Sequence, residues 1–348
     1  MADPIPVFAN RAERSKARAE SIRSFLEAFA PSPNEDQLGE MLVTITRLAA
    51  DGCGRGELKI LNRALKELRY AFKVFAPYRG FQKASIFGSA RTPPDHPHYL
   101  EAVRFAELIR EAGWMVITGA GDGIMRAGHH GATREASFGV AIALPFEQET
   151  NDIIEGDDKL ISFNYFFTRK LLFVKEADAI VLFPGGFGTQ DEGFEALTLI
   201  QTGKAEPIPV VLCDAPGGTY WQHWREWVEA ELLGNKMINK EDMGLFFVTD
   251  DMKDAVREIL HFYRRFHSTR YVHDRLVIRM KSPLPEGVID RLNGEFPDIV
   301  AEDRIKQVYE ALPEEDGELA GLPRLVFRFD RRSLGRLRFL INAVNDAE

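Results

Sequence analysis

One glycine-rich segment, residues 183–192 (FPGGFGTQDE), constrains the fold of this chain more than any other stretch. It follows an apolar run at residues 178–183 and precedes residues 193–201, in which apolar side chains recur at helical spacing. The pattern predicts a buried strand, a tight turn and the start of a helix. Glycines let the backbone approach a ligand, and a helix N-terminus offers unpaired N–H groups, so we expect the turn to bind an anion such as a phosphate.

Thr189 and Glu192 admit two interpretations. The spacing Thr189-x-x-Glu192 is that of a capping box, in which both side chains only close the helix end. Alternatively, Thr189 hydrogen-bonds a phosphate oxygen, and Glu192 lies beside the group to which the phosphate is attached. Two cations lie upstream, Arg169 and Lys170, of which arginine suits planar bidentate contacts and lysine acts as a point charge. These cations favour the second interpretation.

From residue 83 onwards, short apolar runs alternate with helical patterns, which predicts a parallel sheet covered by helices on both faces. The fold class is therefore α/β, a Rossmann-like doubly wound sheet. Ligands in this architecture bind at the carboxyl ends of the strands. The predicted strands are residues 84–87, 114–118, 140–144, 178–183, 209–212 and 245–248, and the predicted helices between and after them are 98–112, 124–136 and 252–266.

Additional segments are predicted before and after this domain in the sequence. Residues 1–80 form a helical extension, residues 81–266 the Rossmann-like domain, and residues 267–348 a small α+β appendage. The appendage is predicted to contain strands at 275–280 and 325–329 and helices at 285–292 and 334–344, while residues 302–312 fit either a helix or a strand.

Glycine turns follow three of the predicted strands, so they are expected at one edge of the sheet. Together they indicate a mononucleotide crevice. Gly119-x-Gly121 is only part of a dinucleotide fingerprint, since Ile124 stands where a third glycine is required, and neither NAD nor another cofactor is predicted. The candidate substrate-binding residues of the three turns and of the segment before the last turn are Gly88, Ser89, Gly119, Gly121, Lys170, Gly185, Gly186, Gly188 and Thr189.

Composition narrows the function classes. A formal net charge of -9 and a pI near 5.5 argue against nucleic-acid or anionic-membrane partners. Cys53 and Cys213 form no disulfide framework, and no apolar run approaches the ~20 residues of a membrane span, so a cytoplasmic location is expected. The adjacent His129 and His130 point in different helical directions, which favours a structural or surface role, and no metal is predicted.

Paired motifs resemble those of the LOG ("lonely guy") family, formerly described as lysine decarboxylases. The resemblance covers about residues 83–263. It depends on YFFTRK (165–170), PGGFGTQDE (184–192) and LTLIQTGK (197–204), with GSART (88–92) and ITGAGDGIM (117–125) at the same sheet edge.

This resemblance implies hydrolysis of the N-glycosidic bond of a purine or cytokinin-type nucleoside 5′-monophosphate to free base and ribose 5-phosphate. Glu192 would stabilise the positive charge on the ribose and activate water, and Arg169 would orient the sugar or the carboxylate. The amides of Gly185, Gly186, Gly188 and Thr189 would hold the phosphate. The resemblance also implies a homodimer or a higher homo-oligomer.

The sequence departs from the family at three positions of the second glycine turn. Asp122 stands where proline is usual, Ala120 where glycine is usual, and Arg126 where glutamate commonly follows Ile-Met. These changes alter the charge of the crevice, so two other classes stay open. One is a non-catalytic nucleotide or cofactor carrier of the same fold, and the other is a scaffold that assembles partners through its helical ends.

Overall fold

The computed structural model describes residues 11–29, 32–143, 150–315 and 317–347. The chain divides into two compact units, Met1–Lys66 and Glu67–Glu348. Leu144, the last residue of the predicted strand 140–144, lies outside the described residues. The division of the chain at residues 80 and 266 stays a prediction.

The first unit is helical. Its helices are α1 (Arg11–Phe29), α2 (Glu35–Ala50) and the first part of α3 (Arg55–Phe75). Helices α1 and α2 pack on each other, and α2 has no buried residue, so this unit has little core of its own.

The second unit is built on a seven-stranded parallel sheet. Its strands are β1 (Lys83–Phe87), β2 (Met115–Thr118), β3 (Ser137–Ile142), β4 (Leu160–Phe163), β5 (Ala179–Leu182), β6 (Val210–Cys213) and β7 (Phe246–Thr249). Their spatial order is β4-β3-β2-β1-β5-β6-β7, so the order reverses between β1 and β5. In such sheets the ligand crevice opens at this reversal.

Helices cover both faces of the sheet. They are α4 (Pro97–Glu111), α5 (Ile124–Ala132), α6 (Phe166–Lys175), α7 (Phe187–Gln201), α8 (Tyr220–Trp227) and α9 (Met252–Phe262). Apolar residues of α4, α5 and α9 belong to one core cluster, whereas those of α6, α7, α8 and the end of α3 belong to another. The predicted doubly wound α/β fold is therefore confirmed. Since α4 follows β1 and α7 follows β5, the loops after these strands diverge at the reversal point.

A smaller antiparallel sheet follows. Its elements are β8 (Phe266–Val272), β9 (Arg275–Met280), α10 (Val288–Glu295), β10 (Val300–Val308), β11 (Arg324–Phe329) and α11 (Leu334–Asn345). The strand order is β10-β11-β9-β8. Apolar residues of α10, α11 and this sheet join the core cluster of α4 and α9, so the two sheets share one apolar interior. Glu315, fully buried, accepts hydrogen bonds from Arg279 and Arg324 at 2.7 and 2.8 Å.

Several predicted boundaries were wrong. Helix α5 ends at Ala132 instead of 136, because Thr133 has a φ of +65° and cannot continue the helix. Helix α9 ends at Phe262, and Phe266 begins β8, which was not predicted. Strand β4 and helix α8 were also missed. Strand β4 contains the exposed Ser162 and so is not a continuous apolar run, and helix α8 has only eight residues.

Candidate active site

Helix α7 begins immediately after the glycine turn that follows β5. Gly186 is its N-cap residue, without a side-chain capping bond, and Gln190 N–H donates to Gly186 O at 3.2 Å to close the first turn. The amides of Phe187, Gly188 and Thr189 precede this bond and therefore have no acceptor within the helix. The capping-box interpretation is wrong, because Thr189 is the third helical residue instead of the N-cap.

Two loops meet at the start of α7. Ser89 N–H, after β1, donates to Pro184 O at 3.1 Å, and a Cβ on Gly185 would lie 3.0 Å from Ser89 N and overlap Thr189 Oγ1. Only glycine therefore allows this approach. By contrast, a Cβ on Gly186 or Gly188 would meet no atom within 4 Å. The turn is therefore tightly packed at Gly185 and open to solvent at Gly186 and Gly188.

The second predicted glycine turn reaches the same edge through Ile124. Ile124 N–H donates to Ser89 O at 3.1 Å, and a Cβ on Gly88 would lie 2.6 Å from the Ile124 side chain. Gly119 lies against Met125, whose Sδ would be 2.5 Å from a Cβ at this position, and Gly121 O accepts a bond from the Asn151 side chain at 2.9 Å. The structure thus joins Gly88 and Ser89 to the α7 turn, while Gly119 and Gly121 hold the adjoining loop.

Arg169 on α6 and Glu192 on α7 face each other. Arg169 Nη2 lies 3.7 Å from Glu192 Oε1, and the two side chains are 15% and 7% exposed. The guanidinium lies 5.1 Å from the ring centroid of Phe166 and 5.5 Å from that of Phe173. Arg169 Nε is buried and has no hydrogen-bond partner in the described part of the chain. This pair is therefore a buried cation and anion with unused hydrogen-bonding capacity.

Burial changes the protonation of this pair. Desolvation raises the pKa of Glu192 to about 7, against the opposing charges of Lys170 and Arg169. Desolvation also lowers the pKa of Arg169, opposed by the charge of Glu192. A carboxyl with a pKa near neutral pH is matched to general-base work, and such perturbed groups concentrate at functional sites.

Lys170, next to Arg169 on α6, forms ion pairs with two carboxylates of α7. Its Nζ lies 2.6 Å from Glu195 Oε2 and 2.8 Å from Asp191 Oδ2, both on α7. These ion pairs tie α6 to α7 and place the lysine charge near Glu192. The predicted contact between Lys170 and substrate stays a prediction.

Comparison with known proteins adds independent information about this part of the chain. Residues 119–259 match the family model described as "Possible lysine decarboxylase". A Mycobacterium tuberculosis H37Rv protein named cytokinin riboside 5′-monophosphate phosphoribohydrolase is 28% identical over 169 residues, 47% of this chain and 87% of that protein. A Mycobacterium marinum protein of the same name is 26% identical over 169 residues, again 47% of this chain and 87% of that protein. Over this segment the chain is therefore similar to the LOG proteins that the sequence motifs resemble.

Solved structures of similar fold were also found. A molybdenum cofactor binding protein from Rippkaea orientalis has a TM-score of 0.37 and 18% identity, covering 52% of this chain and 96% of that chain. The molybdenum cofactor carrier protein of Chlamydomonas reinhardtii has a TM-score of 0.36 and 21% identity, covering 52% and 98%. At these scores the likenesses carry no functional inference.

One departure from the LOG pattern has a local partner. Arg126 Nε and Nη2 each donate to the Asp152 carboxylate at 3.1 Å, so the cation that replaces the usual glutamate is paired with an acid. Nearby, the buried His129 contacts Thr118 Oγ1 at 2.9 Å and Asn151 Oδ1 at 3.2 Å. Both of its ring nitrogens are thus occupied by structural contacts.

The described residues contain no group of three or more His, Cys, Asp and Glu side chains that could hold a metal ion. Within the same ranges, the helices are all too short or too polar to cross a membrane.

Sequence reasoning missed a buried residue, Glu67, that holds helix α6. Glu67 on α3 accepts bonds from Asn164 N–H at 2.9 Å, Asn164 Nδ2 at 2.8 Å and Thr168 Oγ1 at 2.8 Å. Glu67 thereby fixes the first turn of α6 immediately before Arg169. The available signal was a carboxylate at helical spacing with Ala71 and Phe75, both of which are buried.

Tyr220, the first residue of α8, was also missed. Its hydroxyl donates to Gly185 O at 2.6 Å and accepts a bond from Gln190 Nε2 at 2.7 Å. No local pattern indicated this role, because the helix itself was not predicted.

Proposed function

We propose that this protein hydrolyses the N-glycosidic bond of a purine or cytokinin-type nucleoside 5′-monophosphate, giving free base and ribose 5-phosphate. The observation that carries the proposal is the buried Arg169–Glu192 pair, whose acid lies on the helix that begins at the glycine turn. The names of the two mycobacterial relatives support the reaction class.

In this proposal the start of α7 holds the 5′-phosphate. The N–H groups of Phe187, Gly188 and Thr189 and the positive end of the helix dipole attract the anion, and the exposed Gly186 and Gly188 leave room for it. Binding energy from the phosphate then aligns the ribose with Glu192. The phosphate is therefore a positioning group, distant from the bond that breaks.

Glu192 and Arg169 act on the ribose. As the bond from C1′ to the base nitrogen breaks, the base keeps the electron pair and positive charge develops on the sugar, which the Glu192 carboxylate stabilises. Water then adds to C1′ and gives a proton to Glu192, the departing base nitrogen takes up a proton from solvent, and Glu192 returns its proton to solvent, so the net change is the consumption of one water. Arg169 orients the carboxylate or a sugar hydroxyl through its free donors. The reaction consumes only water and requires no cofactor.

We further propose a homodimer in the cytoplasm. Support for self-association comes from apolar side chains that are exposed on α6 and at the start of α7, namely Phe166, Phe167, Leu171 and Phe187. Phe187 is 95% exposed, which is costly for a side chain of this size unless another surface covers it. Support for a reducing compartment comes from the two free cysteines, Cys53 and Cys213. Sedimentation velocity tests the dimer.

The test of the reaction is release of base. The protein is incubated with AMP, GMP, CMP and cytokinin riboside monophosphates, and free base is measured by chromatography. Glu192→Gln should abolish release while keeping the shape of the side chain. Glu229→Gln, an exposed glutamate that pairs with Arg225, is the matched control for loss of one carboxylate and should retain activity.

The three functional classes give different results in this assay. Base released by wild type but not by Glu192→Gln supports the hydrolase. Tight binding of a nucleotide without release supports a carrier, and the absence of both supports a scaffold. Either of the last two results would overturn the proposed reaction.

A further inference from the structure

Tyr220 and the glycine turn are connected by a short chain of hydrogen bonds. Gln190 Nε2 donates to the Tyr220 hydroxyl, and that hydroxyl donates to Gly185 O. We propose that Tyr220 is a positioning residue, whose hydroxyl sets the direction of the Gly185–Gly186 peptide so that the Gly186 N–H faces the bound phosphate. The inference rests on the proposed function, because it assigns a role within the same site.

In a trans peptide the carbonyl oxygen and the N–H point to opposite sides, and the described residues contain no cis peptide. When Tyr220 holds Gly185 O on its own side, the Gly186 N–H must point to the other side. Gly186 is exposed, and a Cβ on it would meet no atom within 4 Å, so there is room for a ligand around this residue.

The direction of the hydroxyl proton is also fixed. The Gln190 side-chain amide occupies the hydroxyl oxygen as a donor at 2.7 Å, so the single proton of the phenol is directed to Gly185 O at 2.6 Å. Consecutive bonds of this kind polarise one another. In addition, Gln190 N–H donates to Gly186 O at 3.2 Å. Gln190 therefore holds two successive carbonyls of the turn. It binds Gly186 O directly, and it acts on Gly185 O through the Tyr220 hydroxyl.

Tyr220 itself is held by a rigid part of the fold. The next residue, Trp221, is 1% exposed, and its N–H donates to Asp214 Oδ2 at 2.9 Å. Asp214 follows directly after β6 and is 2% exposed. The hydroxyl is thus held from the sheet edge through a buried contact, which is what a residue needs in order to orient a mobile glycine peptide.

This role predicts an effect on the phosphate that does not extend to the sugar and base. Without the hydroxyl, the Gly185–Gly186 peptide can rotate, and one N–H directed at the phosphate is lost. Tyr220→Phe should therefore weaken the binding of ribose 5-phosphate about tenfold, the usual cost of one hydrogen bond to a charged group. Hydrolysis of a nucleoside, which has no phosphate, should be unchanged.

The matched control is Tyr263→Phe. Tyr263 also donates its hydroxyl to a backbone carbonyl, that of Asp178, at 2.7 Å, but at the opposite end of β5. The Tyr263→Phe substitution removes the same hydroxyl group and the same type of hydrogen bond, but far from the glycine turn. Gln190→Met is a second test, since it removes the donor to Tyr220 but leaves the tyrosine in place, and a smaller loss in the same direction is expected.

The experiment measures ribose 5-phosphate affinity by titration calorimetry, and kcat/KM for AMP and for adenosine, with thermal unfolding as a check on folding. A selective loss of phosphate affinity in Tyr220→Phe, absent in Tyr263→Phe, supports the inference. Equal affinity in Tyr220→Phe and wild type, or an equal loss of kcat/KM for AMP and adenosine, overturns it. If Tyr220→Phe does not fold, unchanged affinity in Gln190→Met overturns it.

The calorimetric measurement separates this inference from the proposed reaction. Binding of ribose 5-phosphate requires no turnover, so a protein that binds it but releases no base would overturn the hydrolase and leave the Tyr220 result decisive. A wild type that does not bind ribose 5-phosphate would overturn both.

Discussion

Arg169 Nη2 lies 3.7 Å from Glu192 Oε1, inside the range of an ion pair but beyond that of a normal hydrogen bond. The two charges therefore attract each other without using up their donors and acceptors. A bound ligand can therefore accept hydrogen bonds from Arg169 and donate them to Glu192. The raised pKa of Glu192 has the same origin, the burial of this pair.

Glu192→Gln should change how stability depends on pH. The pKa of Glu192 is raised from 4.5 to about 7 in the folded state, so the folded state binds the proton more tightly than the unfolded state does. The contribution of Glu192 to stability is then fully present below pH 4.5 and is lost as pH rises through 7. Relative to wild type, the variant should gain up to about 3 kcal/mol between pH 5 and pH 8. Urea unfolding at both pH values measures this, and a pH-independent difference would contradict it.

Lys170→Gln should move the acid limb of the pH profile of kcat/KM to higher pH. The lysine charge lowers the pKa of Glu192, so its removal lets that pKa rise above about 7, and the catalytic carboxylate forms only at higher pH. Asp191→Asn should move the limb the other way, because the Asp191 charge raises the same pKa. Shifts in the same direction would refute the electrostatic explanation. An unchanged affinity of Lys170→Gln for ribose 5-phosphate would remove Lys170 from the substrate-binding residues.

Gly185→Ala should destabilise the protein, whereas Gly186→Ala should not. The new Cβ at 185 would overlap Thr189 Oγ1 and press on Ser89 N, at a cost of about 1–3 kcal/mol. At Gly186 the space is open and φ is -85°, so alanine should change the free energy of unfolding by less than about 0.5 kcal/mol. Chemical denaturation compares the two, and equal stabilities would count against the close approach of Gly185 to the loop after β1.

Glu67→Gln should lower both stability and turnover. The amide replaces an acceptor oxygen with a donor, so one of the three bonds to Asn164 and Thr168 is lost, at about 1–3 kcal/mol. Because these bonds fix the first turn of α6, kcat should fall as Arg169 loses its position. Thermal unfolding and initial rates measure the two effects. A stability loss with unchanged kcat would show that Glu67 only supports the fold.

The parts of the site that depend on local sequence could be predicted. The turn before α7 is defined by an apolar strand, closely spaced glycines and a helical pattern within about twenty residues, and the structure places a strand, turn and helix there. Arg169 and Glu192 were assigned from motifs, and their approach follows from α6 and α7 covering the same face of the sheet.

The supporting residues could not be predicted in this way. Glu67 bonds Asn164 across 97 residues of sequence, and Tyr220 bonds Gly185 across 35. Such contacts depend on which helix packs beside which strand, and single-residue patterns contain no information about that. The buried position of Glu67 was visible as helical spacing, but its partners were not.

Because α7 begins at the amides proposed to bind the phosphate and also contains Glu192, one rigid element fixes the separation between them. The five residue steps from Phe187 to Glu192 advance about 7.5 Å along the helix axis. This fixed distance would select ligands by the separation between their phosphate and their anomeric carbon. A 5′-monophosphate brings its anomeric carbon to the acid, whereas a diphosphate or triphosphate held by its terminal group would leave the sugar one or two phosphates short of it.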